Sequence, residues 1–200
     1  MQGELPGAYR LVEYLESSGT QYIDISSIEK PYAFDVLAMI INARTNGAML
    51  TGFSLWNDSS ATCIWQSSVY IGVSRKRDSQ AHSALANAPD MLNKKLRFIC
   101  STQNAILIDA DANTEIARNT DIVSDLLPFP VNLFHGMSNG AYKSRYIPAR
   151  VYSAKWYLNN TKVFDLIPCV RKADNKPGMY DTVTKTFYTN TGTGEFIVPA

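Results

Sequence analysis

The sequence lacks paired cysteines, a surplus of charge and long hydrophobic runs, and each absence excludes a class of protein. Its cysteines, Cys63, Cys100 and Cys169, form no C-x-x-C pair, which argues against a disulfide scaffold or an ordinary zinc cluster. The 19 Lys and Arg residues against 18 Asp and Glu residues leave a net charge of +1, without the basic block that nucleic-acid binding needs. The longest apolar run, residues 36–41, is far shorter than the ~20 residues that span a bilayer. We therefore expect neither nucleic acid nor a membrane as a partner, and no secretory signal is evident at the N-terminus.

What the sequence does contain is a succession of short β-type runs. The 200 residues suit a single domain, residues 1–200. Turn residues separate the runs throughout, a pattern typical of an all-β sandwich or barrel. Most links are roughly two to five residues long, which favours antiparallel pairing. We predict an all-β, two-sheet antiparallel sandwich with at most one or two short helices.

Three segments refine this prediction. Residues 33–41 are apolar enough to form a strand inside the sandwich core. Residues 75–95 break the strand rhythm, and we predict a long polar loop there with one helical turn at residues 84–88. Residues 121–127 are predicted as a short helix capped by Thr120.

The sequence contains a hydrolase motif, but the residues around it do not fit the structural setting that the motif requires. Residues 136–140 read G-x-S-x-G, the nucleophile elbow of α/β-hydrolases. That motif works on a strand–turn–helix corner, with the histidine later in the chain. Both histidines, His82 and His135, precede Ser138, and the segment after it contains Pro148 and looks extended. We interpret the pentad as a hairpin loop.

A second partial motif concerns Ca²⁺. Asp109, Asp111 and Asn113 match the start of a D-x-D-x-[DN] loop, but the sixth and twelfth positions are Thr114 and Thr120. A calcium loop needs Gly and Glu at those positions. We predict a hairpin turn with no metal site and no cofactor, and a looser Ca²⁺ site at this turn stays open as the alternative.

Paired catalytic carboxylates are also missing from the predicted strands. A glycoside hydrolase needs two carboxyl groups roughly 5–10 Å apart that flank one bond. Glu13 and Glu16 would face opposite sides of a strand, and Asp109 and Asp111 sit at a turn. We therefore predict that the protein has no catalytic residues and is not an enzyme.

Aromatic residues offer a means of binding without catalysis. Trp56 and Trp65 bracket a polar loop that contains Asn57 and Asp58. Exposed tryptophan rings stack on sugar faces, because they bury a large area at little entropic cost. We predict Trp56, Asn57, Asp58 and Trp65 as ligand-binding residues, with packing in the core as the alternative for the two tryptophans. Trp156, within a long predicted strand, is expected in the core.

Both ends of the chain resemble one family. Residues 5–24 read LPGAYRLVEYLESSGTQYID, similar to an LPxGYxxLEYIESTGTQYIDT opening. Similarity to RIYSFKI, DFIPC, GMYD and FYTNAGTGxF is found at residues 150–157, 164–169, 178–181 and 187–196. The chain thus resembles the concanavalin A-like lectin/glucanase (laminin-G-like) jelly rolls found in virion proteins of phages and prophages of gut bacteria.

This resemblance implies a two-sheet jelly roll on a fibre or another exposed part of a virion, made in the cytoplasm of the bacterial host. It implies a non-catalytic module that contacts host surface glycans and other virion proteins, with a homotrimer as the assembly to test. A structural virion or assembly protein without a ligand is the alternative, and a glycan hydrolase is a third hypothesis. The shared motif residues look structural: Gly19, Gly178 and Gly192 suit turns with positive φ, and Tyr180 and Tyr188 suit strand packing.

Overall fold

A computed structural model describes most of the chain. The residues that it describes are 5–25, 31–42, 47–54, 61–77, 80–123, 126, 129, 131–138, 141–142 and 146–199. Within them the chain forms nineteen strands and one four-residue helix. These are β1 (Tyr9–Leu11), β2 (Leu15–Ser17), β3 (Ile23–Ile25), β4 (Ala33–Ile40), β5 (Ala48–Ser54), β6 (Ala61–Gln66), β7 (Tyr70–Arg77), β8 (Gln80–Ala81), β9 (Ala84–Asn87), α1 (Ala88–Met91), β10 (Lys95–Cys100), β11 (Ala105–Asp109), β12 (Thr114–Asn119), β13 (Val131–Leu133), β14 (Met137–Ser138), β15 (Ala141–Tyr142), β16 (Ala149–Leu158), β17 (Thr161–Arg171), β18 (Lys176–Asp181) and β19 (Phe187–Thr189).

The strands form two main sheets arranged as a sandwich. The large sheet has ten strands in the order β12-β11-β10-β4-β16-β17-β18-β19, with β1 beside β17 and β2 beside β16. The small sheet has seven strands in the order β15-β14-β5-β6-β7-β8, with β9 beside β7, and β3 pairs separately with β13. Among the described strand pairs, β14 and β5 run parallel and the others run antiparallel. The predicted all-β antiparallel sandwich is confirmed.

Strand β4 shows why the sheets pack as they do. It lies between β10 and β16 at the centre of the large sheet, and its residues alternate between buried and half-buried. Phe34, Val36, Ala38 and Ile40 point into the core, since side chains on a strand alternate between its two faces. The prediction of a core strand here is confirmed, but its other face is only half-buried and carries Asp35 with Leu37 and Met39.

The main core joins side chains from both sheets. Phe98 and Trp156 of the large sheet belong to the same buried cluster as Leu50, Ile64 and Val73 of the small sheet. Trp156 is fully buried, as predicted from its strand. Burial of this aromatic and aliphatic surface is the main favourable contribution to folding.

One buried cation links the two sheets. Arg75, on β7 of the small sheet, is fully buried. It donates through Nη1 to the carbonyl of Ser101 at 2.8 Å, and through Nη2 to the side-chain oxygen of Asn119 at 2.8 Å and the carbonyl of Asp121 at 3.0 Å. Its Nε donates to the carbonyl of His82 at 3.3 Å. Burial lowers the pKa of the Arg75 guanidinium, but an arginine keeps its charge in proteins. The guanidinium therefore ties the small sheet to the segments that follow β10 and β12.

The predicted loop at residues 75–95 and the two predicted helices need correction. Strands β8 and β9 and helix α1 lie inside that loop, and the helical turn begins at Ala88 rather than Ala84. Pro89 explains the shift, because proline is tolerated in the first turn of a helix and disfavoured further along. No helix in the described part of the chain is long and apolar enough to cross a membrane.

The second predicted helix, at residues 121–127, does not begin where expected. Residues 121–123 are not helical. The backbone N–H of Asp121 donates to the side chain of Asn119, and that of Val123 donates to the carbonyl of Thr102. These N–H groups are thus occupied outside any helix. The rest of the predicted helix, apart from Leu126, lies outside the described residues.

The prediction of positive φ at three glycines is right for one of them. Gly19 has a φ of 110°, whereas Gly178 and Gly192 are not among the described residues with positive φ. A Cβ at Gly178 would lie 2.3 Å from the carbonyl oxygen of Tyr188, and one at Gly192 would lie 2.1 Å from that of Thr20. Close approach of a neighbouring backbone, rather than backbone conformation, excludes a side chain at these two positions.

We expect Arg75→Leu to lower the free energy of unfolding by at least ~3 kcal/mol, because it leaves several buried carbonyl groups without donors. Urea denaturation of the two proteins measures the difference. The control is Arg10→Leu on β1, an exposed arginine, for which we expect a change within about 0.5 kcal/mol. A loss below about 1 kcal/mol for Arg75→Leu would show that the sheets do not depend on this residue.

Candidate functional site

A groove on the outward face of the large sheet is the best candidate for a binding site. Its volume is about 380 Å³, within the range usual for ligand sites. Four strands (β4, β10, β11 and β16) and the turn after β11 contribute its lining. The lining residues are Asp35, Leu37, Arg97, Ile108, Ala110, Asn113, Ser153 and Lys155.

Strand register brings the groove residues into one row. Arg97 on β10 lies opposite Ile108 on β11 and Leu37 on β4. Leu37 in turn lies opposite Ser153 on β16. Arg97 and Leu37 each lie between two buried residues on their strands. Residues opposite each other in register share a face, so all four lie on the face that points away from the core.

An irregularity in β16 adjusts this face. The pairing of β16 with β4 shifts between Val151 and Ser153, which inserts Tyr152 as an extra residue, as in a β-bulge. After the shift, Lys155 lies opposite Asp35. The bulge therefore places Ser153 and Lys155 on the groove side while Ala154 keeps its place in the core.

A bidentate ion pair forms one wall of the groove. Arg97 donates through Nε to Oδ1 of Asp35 at 2.8 Å and through Nη2 to Oδ2 at 2.6 Å. The hydrogen bonds to Asp35 raise the pKa of Arg97 above its ordinary value. The Arg97 side chain is 48% exposed and that of Asp35 is 17% exposed, so the guanidinium faces the solvent side of the pair. A planar guanidinium held in this way is fixed in orientation before any ligand arrives.

The turn from β11 to β12 forms the other side of the groove and settles the hairpin prediction. Asp109 opposes Thr114 in register, and its side-chain oxygen accepts the backbone N–H groups of Asp111 at 3.2 Å and Ala112 at 3.0 Å. The predicted hairpin is confirmed. Asp109 closes the turn, and Asn113, with a φ of 50°, completes it. In the part of the chain that the structure describes, no group of three or more His, Cys, Asp and Glu side chains could hold a metal ion.

Two tyrosines and two cations extend the polar face beyond the groove. The Lys95 ammonium lies 4.1 Å from the ring centroid of Tyr152, and the Arg150 guanidinium lies 4.6 Å from that of Tyr14. The two rings meet edge to face at 5.7 Å, and Arg150 also donates to Glu16 at 2.6 Å. Burial is the main cause of the raised pKa of Tyr152. Cation–π contacts hold both rings in place on this face.

The residues predicted for ligand binding are placed only in part. Trp65 lies on β6 of the small sheet and packs against Met49, Ala61 and Cys63, away from the groove. Its ring covers Gly47, where a Cβ would lie 2.1 Å from Cη2. Trp56, Asn57 and Asp58 lie outside the described residues. Ligand binding by these four residues stays a prediction.

The sequence carries a signal for the groove in the charges on its strands. Asp35 interrupts an apolar strand, and Arg97 and Lys155 alternate with buried neighbours on theirs. Charges at alternate positions of central strands indicate that the outward face of the sheet is open to solvent and to a ligand. Asn113, which the sequence presents as part of a partial calcium motif, also lines the groove.

The other motifs have structural explanations. Residues 137–138 and 141–142 pair as β14 and β15, which confirms the hairpin interpretation of the G-x-S-x-G pentad. All three cysteines are buried and none is in a disulfide, and burial raises the pKa of the Cys169 thiol to about 12. A thiol with so high a pKa is not a nucleophile at neutral pH.

The chain was compared with known proteins. No family model matches it, and no curated protein sequence matches it. The resemblance of its two ends to virion jelly rolls therefore stays a prediction from motifs.

We expect Arg97→Gln to lower the free energy of unfolding by no more than ~1 kcal/mol, because the pair with Asp35 is partly exposed. The matched control is Arg118→Gln, which removes another bidentate pair, with Glu115 on β12. Urea denaturation measures both. A loss above ~3 kcal/mol at Arg97 alone would assign the pair to fold stability rather than to the groove.

Proposed function

We propose that this protein is a non-catalytic binding module that holds a host surface glycan in the groove of the large sheet, displayed on a phage virion. The observation that carries the proposal is the composition of the groove: apolar side chains lie beside polar ones, and one of these, the Arg97 guanidinium, is held in orientation by Asp35. The motif resemblance of the chain ends supports the virion setting. Production in the bacterial cytoplasm and contact with other virion proteins belong to the same proposal.

The groove suits the two chemical surfaces of a sugar. Leu37, Ile108 and Ala110 offer an apolar floor to a face of C–H groups. Arg97 and Asn113 stand at the sides, where the hydroxyl groups of a ring would point. Small-ligand sites combine apolar walls with a few polar groups that fix orientation. Here polar residues make up the larger part of the lining, which suits a ligand rich in hydroxyl groups.

The carboxylates near the groove support binding without cleavage. Among the described lining residues, Asp35 is the single carboxylate, and both of its oxygens accept hydrogen bonds from Arg97. Hydrolysis of a glycosidic bond needs an acid and a second carboxylate placed around the bond. We therefore assign Asp35 to the positioning of Arg97.

Weak binding by one shallow groove would be sufficient on a fibre. Several copies on one particle convert modest single-site affinity into strong attachment, provided that the sites engage together. A homotrimer is the assembly that we propose, and light scattering at three chains per particle would support it. A monomer at high protein concentration would contradict that part.

The experiment measures binding of the labelled protein to a panel of gut-bacterial cells and their extracted surface polysaccharides. We expect saturable, strain-restricted binding. Arg97→Gln should weaken it about tenfold, because the variant loses one group that forms charge-assisted hydrogen bonds. Ser153→Trp, which fills the groove, should abolish it. Arg118→Gln is the matched control and should bind as the wild type does.

Two results would contradict the proposal. If the folded protein in its native oligomeric state bound no member of a broad panel, a structural virion protein would be the better assignment. If Arg97→Gln and Ser153→Trp both bound normally, the groove would not be the site, and the predicted residues Trp56, Asn57, Asp58 and Trp65 would be tested next. Loss of binding in EDTA would favour the Ca²⁺ alternative.

A further inference from the structure

We propose that the groove selects glycans that carry an anionic group, and that the ammonium of Lys155 is the group that binds the anion. This inference rests on the proposed glycan-binding function and goes further by naming the ligand class. It comes from the balance of charges around Lys155.

Lys155 lies between two carboxylates that are both engaged elsewhere. In register, it opposes Asp35 on β4 and Asp165 on β17. Asp35 receives both of its hydrogen bonds from Arg97, and the ammonium of Lys162 binds Asp165. Within the described residues Lys155 forms no ion pair, although its neighbours on both strands are acidic.

The remaining charges of the groove cancel. Arg97 and Asp35 neutralise each other, and Asn113 and Ser153 are uncharged. The described lining therefore has one positive charge in excess, on Lys155. Arg97 keeps a second donor, because its Nη1 makes no hydrogen bond within the described residues while Nε and Nη2 hold Asp35.

Desolvation turns this excess charge into selectivity. A neutral sugar that covers Lys155 removes water from the ammonium and supplies only hydroxyl groups in exchange. A carboxylate or phosphate on the sugar replaces that water with a charge-assisted hydrogen bond. Discrimination then arises as much from the penalty on the neutral ligand as from the gain with the anionic one.

The anion can be a carboxylate, as in a uronic acid, or a phosphate. A lysine binds either as a point charge, unlike the planar fork of an arginine. The experiment can remove each anionic group separately: reduction removes the carboxylate, and dephosphorylation removes the phosphate.

The test is an array of acidic bacterial polysaccharides, each paired with its carboxyl-reduced or dephosphorylated derivative. We expect binding to acidic members that falls about tenfold or more when the anionic group is removed. Binding should also weaken as salt concentration rises, because exposed charge pairs are screened.

Variants assign the effect to one residue. Lys155→Gln should lower affinity for the acidic members about tenfold. It should raise affinity for any neutral member, because the penalty for removing water from the ammonium is gone. Lys155→Arg, which keeps the charge, should retain most of the binding. The matched control is Lys185→Gln, an exposed lysine in the turn between β18 and β19, which should bind as the wild type does.

The outcomes separate this inference from the function on which it rests. Neutral derivatives that bind as tightly as their acidic parents would overturn the inference and leave glycan binding in place. Acidic binding that is unaffected by Lys155→Gln would also overturn it. Absence of binding to every member, acidic or neutral, would overturn the proposed function and the inference together.

Discussion

The pairing of β4 with β10 and β16 at the centre of the large sheet determines both faces of this protein at once. Because side chains alternate along a strand, the register that buries Val36 also sets Asp35 and Leu37 on the outward face. A shift of the β4 register by one residue would expose the apolar side chains of β4. It would also bury Asp35 away from its partner Arg97. The groove is thus a by-product of the same register that builds the core, and its geometry is as firmly held as the core itself.

The sandwich also depends on a polar contact in a place where apolar packing ends. Arg75 satisfies backbone carbonyl groups that belong to segments after β10 and β12. Water reaches such groups in most loops, whereas here a buried guanidinium replaces it. The cost of burying one charge is offset by several charge-assisted hydrogen bonds, and the result is a fixed spacing between the two sheets at this end.

Much of the fold could be predicted from local pattern, because period-two alternation and turn residues are local signals. Residues 33–41 were predicted as a core strand on this basis, and Trp156 as a core residue. Contacts between residues far apart in sequence were not predictable in this way. The exclusion of a side chain at Gly178 comes from the backbone of Tyr188 across the β18–β19 pair, and nothing near Arg75 in the sequence indicates Ser101 or Asn119.

In the candidate site, too, the individual residues give local signals, whereas the contacts between strands do not. Asp35, Arg97 and Lys155 each stand out on their own strand, but only the order β11-β10-β4-β16 brings them together. Trp56 and Trp65 stand out in the sequence instead, because tryptophan beside a polar loop is a visible local pattern. Strand order in a sandwich is set by packing and chain crossing, which a single sequence does not display.

The strand order has a consequence for how the chain reaches its fold. Strands β5, β6, β7 and β9 pair with near neighbours, so the middle of the small sheet can form from hairpins as soon as each is made. The centre of the large sheet joins Ala33–Ile40 to a strand that begins at Ala149, and closing so long a loop is slow. During synthesis β4 can pair with β10, but its other edge stays open and its apolar face stays partly uncovered until β16 is made. This interval is when the protein is most exposed to aggregation.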